Sequence, residues 1–139
     1  MTGPSRSPQP GADCEELRLL ADPRLEAAIS LFNQGEWYAC HDGFEALWHE
    51  TQGPCRPVLQ GLLQVAVSQL HLERGNLRGA TVLMGEGLGR LEPCGERGLG
   101  VELTPLRQSL RQWLDTLQQG ERTDELQPPH LQWMPQLCR

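Results

Sequence analysis

The sequence predicts an all-α protein, a single compact bundle of about five helices with antiparallel neighbours. Apolar residues recur at spacings of three and four over successive segments, which is the period of one helix face. Proline and glycine fall where these segments begin and end, and no segment alternates apolar and polar residues as a strand does. A chain of 139 residues is long enough for one domain with its own core.

The chain divides into an arm, a bundle and a tail. Residues 1–13 are rich in Pro, Gly and Ser without apolar periodicity, so we expect a disordered N-terminal arm. Residues 14–120 are assigned to the helical bundle domain. Its first helix begins after Asp22, an N-cap followed by Pro23, and ends before Gly35. Four apolar residues follow the three and four spacing of one helix face: Leu25, Ala28, Ile29 and Phe32.

The second helix, from Glu36 to about Thr51, carries two different stripes of side chains. Gly53 and Pro54 after its end are a typical stop signal. One stripe is apolar and is expected to face the core: Trp37, Cys40, Phe44 and Leu47. The other stripe keeps the same spacing but includes two ionisable groups: Tyr38, His41, Glu45 and Trp48. This second stripe is the most distinctive chemical feature of the sequence.

The third helix begins at Pro57 and runs to Arg74. Its apolar residues cover most of the circumference, as in the central helix of a bundle. Three polar residues, Gln60, Gln64 and His71, share the remaining face. The following Gly75-Asn76 predicts a tight reversal, in which Gly closes one helix and Asn caps the next.

The fourth helix, Leu77 to about Leu91, is unusually rich in glycine. Each glycine in a helix interior costs about 1 kcal/mol relative to alanine, so packing must stabilise this helix. The glycines would also permit a neighbouring backbone to approach closely. They are Gly79, Gly85, Gly87 and Gly89.

The last helix and the tail follow a Gly-rich loop. Thr104 is the expected N-cap of this helix and Pro105 its first residue. After Gly120 the prolines favour extended chain, and we expect residues 121–139 to form a tail packed on the bundle.

Charge and cysteine content exclude several classes of function. Asp and Glu outnumber basic residues 18 to 12, for a formal charge of −6, which argues against a nucleic-acid or anionic-membrane surface. All basic residues are Arg, so Schiff-base chemistry and a phosphate-binding lysine are excluded. Five cysteines without a C-x-x-C pair predict reduced thiols. With no visible signal core or membrane-length apolar run, we expect a cytoplasmic protein.

Residues 32–80 carry a motif of known type, H-x-x-x-E-x-x-W followed by a Q-G pair. The motif residues here are His41, Glu45, Trp48, Gln60 and Gly61. The segment closely resembles domain-of-unknown-function family 309, an uncharacterised bacterial and archaeal family. The resemblance extends to Arg56, Gln64 and Gly75-Asn76, and more loosely to residues 100–106. It implies an all-helical fold and points towards metal binding or catalysis, with no established activity to carry over.

The His41, Glu45, Trp48 stripe could hold a metal ion. Residues three and four apart project from the same helix face, and imidazole and carboxylate groups are ligands for Zn, Mn or Fe. His71 on the third helix is the best candidate for a third ligand. The Glu-x-x-His pair of di-iron bundles is absent, because position 48 is tryptophan, and so is the zinc-protease motif H-E-x-x-H. The missing ligands favour a structural role for the stripe.

Our leading hypothesis is therefore a non-catalytic module with an internal polar network. His41, Glu45, Arg56, Gln60 and Gln64 would fix how the second and third helices pack, and a surface would bind a protein partner or form a homo-oligomer. The alternative is a divalent-metal-binding protein or metal-dependent enzyme that uses the same His and Glu. Metal-free acid–base catalysis by that pair is also open. A further alternative is an adaptor that grips a partner helix, which predicts a large exposed apolar patch.

Overall fold

A computed structural model describes residues 10–135, with side chains from Cys14 onwards. It confirms the all-α fold, with six α-helices in this part of the chain. The elements, in chain order, are α1 (Pro10–Leu20), α2 (Pro23–Asn33), α3 (Trp37–Glu50), α4 (Arg56–Glu73), α5 (Leu77–Leu91), a 3-10 turn (Glu92–Cys94), β1 (Arg97–Gly98), β2 (Val101–Glu102) and α6 (Leu103–Gln118).

Helices α2 to α6 pack mainly against their neighbours in sequence. Short loops at residues 34–36, 51–55 and 74–76 reverse the chain between α2, α3, α4 and α5. Asp22 caps α2, because its carboxylate accepts a hydrogen bond from the Arg24 backbone N–H at 2.9 Å. Asn76 caps α5 in the same way, accepting from the Gly79 N–H at 2.9 Å. Both caps stand where the sequence predicts them.

The core lies between α2, α3, α4, α5 and α6. The apolar stripe predicted on α3 is buried, and its Phe44 packs edge-on against Phe32 of α2 with ring centroids 6.4 Å apart. Trp37 also meets Phe32 edge-on, at 5.0 Å. Helix α4 is the most central element. Its residues without measurable exposure are Leu59, Leu62, Val65, Ala66 and Ser68.

Two glycines bring α4 and α5 into close backbone contact. A Cβ built on Gly87 would lie 3.0 Å from the Gly61 carbonyl oxygen, and one on Gly61 would lie 2.6 Å from Leu91 Cγ. The α4 backbone therefore approaches α5 closely at Gly87, as expected for the glycines of this helix. This close approach does not extend to Gly89, where a Cβ would meet nothing within 4 Å.

Helix α1 was not predicted from the sequence. It begins at Pro10, so residues 10–13 of the expected disordered arm belong to a helix, and residues 1–9 of that arm lie outside the described residues. The Glu15 carboxylate accepts hydrogen bonds from the Gly53 and Cys55 backbone N–H groups at 2.7 and 2.9 Å. These contacts with the α3–α4 loop hold α1 on the bundle.

The loop between α5 and α6 also departs from expectation. It contains an antiparallel hairpin of two two-residue strands, β1–β2, whereas no strand was predicted. Leu99 at its turn is fully buried with φ +53°, an unusual conformation for a side chain with a Cβ. Helix α6 begins at Leu103 with Glu102 at the N-cap, so Thr104 lies inside the helix and the predicted cap was wrong.

The tail lies against α2, α6 and the hairpin as far as Pro135, and residues 136–139 lie outside the described part. The Trp113 indole N–H donates to the Gln127 carbonyl at 2.9 Å. The Asn33 side chain exchanges two hydrogen bonds with the Leu131 backbone, at 2.7 and 2.9 Å. Trp133 donates from its indole N–H to the Leu99 carbonyl at 2.8 Å.

Large apolar side chains are scattered on the surface rather than grouped. Those exposed in residues 14–135 are Leu17, Tyr38, Leu77 and Val82, which lie on three different helices. This distribution gives no support to the adaptor hypothesis, which needs one continuous patch. No helix in the described part is both long and apolar enough to cross a membrane.

Candidate functional site

The stripe singled out from the sequence lies along one flank of α3, beside α4. Its apolar counterpart faces the core, so the side chains of His41, Glu45 and Trp48 fall between the core and solvent and are half-buried. Tyr38, one turn before His41, is exposed, and its ring stacks with the imidazole at a centroid distance of 6.3 Å. We call the surface formed by this stripe and the adjoining residues of α4 the α3–α4 face. Its members are His41, Asp42, Glu45, Trp48, Arg56, Gln60 and Gln64.

Three groups on α3 lie close enough together to share a metal ion. One ligand atom each of His41, Asp42 and Glu45 lies within 4.8 Å of the other two. His41 Nδ1 and Asp42 Oδ1 are 3.2 Å apart. Ligand atoms around one ion bound at about 2.0–2.2 Å are about 3–4 Å from one another, so small side-chain rotations would close this set. Asp42 was not among the residues predicted.

His71 does not join this set. Among residues 14–135, the groups that lie close enough to share an ion are His41, Asp42 and Glu45. His71 Nδ1 instead lies 3.1 Å from the Asn76 side-chain nitrogen, at the turn between α4 and α5. The predicted ligand set of His41, Glu45 and His71 is therefore not assembled, because His71 is part of the capping arrangement of the helical hairpin.

The predicted internal network is not formed either. Within the described side chains, no hydrogen bond or ion pair joins His41 or Glu45 to Arg56, Gln60 or Gln64. Arg56 instead stacks its guanidinium over the Trp48 ring, with Cζ 4.1 Å from the ring centroid. Gln64 reaches the next helix, where its side-chain amide donates to Glu86 Oε1 at 3.2 Å. Arg56 thus contacts α3 through Trp48, whereas Gln64 is bonded to α5.

The α3–α4 face leaves several buried polar atoms without a partner. Four buried side-chain nitrogen or oxygen atoms in residues 14–135 have no hydrogen bond, and three of them belong to this face. They are Trp48 Nε1, Arg56 Nε and Gln64 Oε1. Buried polar atoms in folded proteins nearly always have partners, and one left unpaired costs about 1–3 kcal/mol. Water, a ligand or another protein could supply these partners.

Cys40, next to His41 in sequence, is a core residue rather than a nucleophile. It has no exposed surface, and its thiol donates to the Trp37 carbonyl at an S···O distance of 3.5 Å. Burial raises the pKa of this thiol to about 12. The reactive thiolate is therefore strongly disfavoured, as expected for a cysteine of the apolar stripe.

Three protein ligands suffice for a solvent-accessible metal site. One imidazole nitrogen and two carboxylate oxygens suit Zn, Mn or Fe, and they leave coordination positions for water or a substrate. The His41 side chain is 24% exposed, so an ion could reach it from solvent without opening the bundle. The spacings of three and four that define one helix face do not select Asp42, because adjacent residues on a helix diverge by about 100°, but the tips of flexible side chains can still meet.

Comparison with known proteins agrees with the motif. No curated protein matches the chain. A family model does match, over residues 25–83, which include α3, α4 and the complete α3–α4 face. Its description is domain of unknown function (DUF309), the family that the H-x-x-x-E-x-x-W motif indicated. Residues 25–83, which contain the candidate site, thus resemble the family DUF309.

Proposed function

We propose that this protein binds a divalent metal ion on α3 through His41, Asp42 and Glu45. The observation that carries the proposal is the grouping of one imidazole and two carboxylates within 4.8 Å of one another. Zn, Mn and Fe are the candidates, because each accepts mixed nitrogen and oxygen ligands. This proposal replaces His71 of the original ligand set with Asp42.

The proposal is tested by metal titration of the full-length protein. Chelator-treated protein is titrated with Zn²⁺ and with Mn²⁺, and binding is followed by calorimetry and by the melting temperature. An ion that binds only the folded state stabilises it by about 2.7 kcal/mol at one hundred times the dissociation constant. His41→Ala, Asp42→Asn and Glu45→Gln should each weaken binding roughly tenfold or more, since even residues that only orient a ligand cost that much.

Two histidines supply matched controls. His49 is exposed on the same helix, and His71 belongs to the α4–α5 turn. His49→Ala and His71→Ala should bind metal as the native protein does. The proposal would fail if neither ion binds at millimolar concentration or if His41→Ala binds unchanged. Loss of binding in His71→Ala would instead restore the ligand set of His41, Glu45 and His71.

A metal-dependent reaction is the natural extension of this site. Three protein ligands with an open position for water are the arrangement of hydrolytic metal centres. The enzyme hypothesis therefore depends on metal binding and is tested second, with the loaded protein.

A non-catalytic interaction surface is the second candidate, favoured by the unpaired atoms on the α3–α4 face. A protein partner or a second copy of the chain could hydrogen-bond Trp48 Nε1, Arg56 Nε and Gln64 Oε1. Sedimentation of the metal-free protein over a wide concentration range tests self-association. A dimer that Trp48→Ala dissociates would favour this candidate. If the protein is a monomer at all concentrations, self-association is excluded as the function of this surface.

We also propose a cytoplasmic location. It rests on the odd number of cysteines, with Cys40 and Cys55 buried as free thiols in the core. Fractionation of the source cells, with detection of the full-length protein, tests this location.

A further inference from the structure

A cleft lies away from the α3–α4 face, where α2, α3, α4, α6 and the tail meet. Its volume is about 470 Å³, within the range of small-molecule sites. Its walls are mostly apolar and aromatic, and the tail contributes one side. The lining residues that matter here are Phe32, Trp37, Gln69, Leu72, Trp113 and Leu126.

Gln69 is the unusual residue of this cleft. It is 5% exposed, and its amide nitrogen is the fourth buried polar atom without a partner in residues 14–135. No hydrogen bond joins its carboxamide to another described residue. The neighbouring polar groups are satisfied, since Asn33 is bonded to the Leu131 backbone and the Trp113 indole to the Gln127 carbonyl.

The chemistry of the cleft specifies a type of ligand. A carboxamide presents a donor and an acceptor on adjacent atoms, so it pairs best with a group that offers the same two functions in reverse. The aromatic and aliphatic walls favour a flat, apolar body. Glu73 is the one ionisable residue among those lining the cleft, which disfavours an anionic ligand.

We propose that this cleft binds a small, planar, uncharged molecule through Gln69, which pairs with an amide-like edge of the ligand. Ligands of this class are aromatic carboxamides, lactams and nucleobase-type rings. The site is separate from the proposed metal site. It uses the core-facing residue Trp37 and the C-terminal half of α4, and it includes no member of the α3–α4 face.

The test compares three probes of similar size on the full-length protein. Benzamide carries the amide edge, benzoate carries a charge and toluene carries neither. Binding is followed by NMR through the backbone amides of residues lining the cleft and the side-chain amide of Gln69. We expect benzamide to bind most tightly and to shift the Gln69 side-chain signals, which toluene leaves unchanged.

Substitution of Gln69 provides the control. Gln69→Met keeps the length of the side chain and should weaken benzamide binding by about tenfold without weakening toluene binding. Gln112→Leu is the matched control, because Gln112 is exposed on α6 and does not line the cleft. The proposal is overturned if benzamide does not bind at millimolar concentration or binds no better than toluene. It is also overturned if benzamide leaves the Gln69 signals of the native protein unmoved, a result that does not depend on how the variant folds.

Discussion

The contact between α1 and the bundle, which we call the joint, differs from the α3–α4 face in whether its buried polar groups have hydrogen-bond partners. At the joint, both glutamates of α1 are hydrogen-bonded within the protein. The Glu15 carboxylate accepts from the Gly53 and Cys55 N–H groups, and Glu16 accepts from the Leu99 N–H at 2.8 Å. Glu15 is only 8% exposed, but both of its carboxylate oxygens accept a hydrogen bond.

The α3–α4 face has the opposite character. Trp48, Arg56 and Gln64 each bury a polar atom that nothing in residues 14–135 satisfies. His41, Asp42 and Glu45 beside them are gathered within reach of a single ion. A joint that only holds the fold together satisfies its polar atoms internally, whereas a surface that acts on something else leaves them available. Four predictions test this contrast.

The largest effect is expected at the joint. Glu15→Ala removes the acceptor for two backbone N–H groups in the α3–α4 loop, and it should lower the free energy of unfolding by about 3 kcal/mol. Urea denaturation measures this loss. The neighbouring exposed residue Arg18, changed to Ala, should lose less than about 0.5 kcal/mol. Equal losses in the two variants would show that Glu15 does not anchor α1.

The second effect concerns the Q-G pair of the motif. Gly61→Ala places a methyl group 2.6 Å from Leu91 Cγ and 3.1 Å from the Gly87 carbonyl oxygen, so we expect a loss of about 2 kcal/mol. Gly89→Ala on α5 is the control. Its methyl group meets nothing within 4 Å, and the higher helix propensity of alanine should stabilise the protein by up to about 1 kcal/mol. A melting temperature that falls in Gly61→Ala and rises in Gly89→Ala would show that Gly61 is needed for the packing of α4 against α5. A neutral Gly61→Ala would contradict this role.

A smaller effect is expected on the α3–α4 face. Arg56→Met keeps the stem of the side chain but removes both the stacked guanidinium and the unpaired Nε. The lost cation–π contact is worth about 0.5–1 kcal/mol, and the relief of an unpaired buried group offsets it. The free energy of unfolding should therefore change by less than about 0.5 kcal/mol. A loss of about 2 kcal/mol or more would show that Arg56 is structural, like Glu15.

The smallest effect is expected for the exposed ion pairs of Arg24, which joins Asp22 to Glu50 across α2 and α3. The Arg24 guanidinium lowers the pKa of both carboxyl groups from their ordinary values of 3.8 and 4.5. A carboxyl group whose pKa is lower in the folded than in the unfolded protein stabilises the fold at pH values above its unfolded-state pKa. This stabilisation is lost as the pH falls through the folded-state pKa. The urea midpoints of the native protein and Arg24→Ala should therefore converge as pH falls from about 5 to about 3. A difference independent of pH would mean that Arg24 acts through packing alone.

Local sequence signals predict some of these elements and not others. The helices α2 to α5 follow from local signals, and the caps Asp22 and Asn76 were predicted with their roles. Helix α1 could not be predicted in this way. Its 11 residues carry a weak apolar pattern, and its anchors bond to residues 38 to 83 positions away. The β1–β2 hairpin was missed because two-residue strands are too short to show alternation.

The spacing of the candidate residues predicted which of them share a flank of one helix, but not which groups they contact. The spacing of His41, Glu45 and Trp48 placed them correctly on one flank of α3. Asp42 was not considered, because spacings of three and four do not select the residue next to His41, although its carboxylate comes within 3.2 Å of the His41 ring. His71 was included because it shares a face with Gln64. It lies near the end of α4, however, and contacts Asn76 in the following turn.

X-ray absorption at the zinc edge, on protein loaded with one equivalent of Zn²⁺, examines the proposed metal site on α3 itself. We expect a shell of nitrogen and oxygen atoms at about 2.0–2.2 Å, with one imidazole contribution that disappears in His41→Ala. Sulfur at about 2.3 Å would place the ion on cysteine instead. That result, or a spectrum unchanged by His41→Ala, would contradict the proposed metal site.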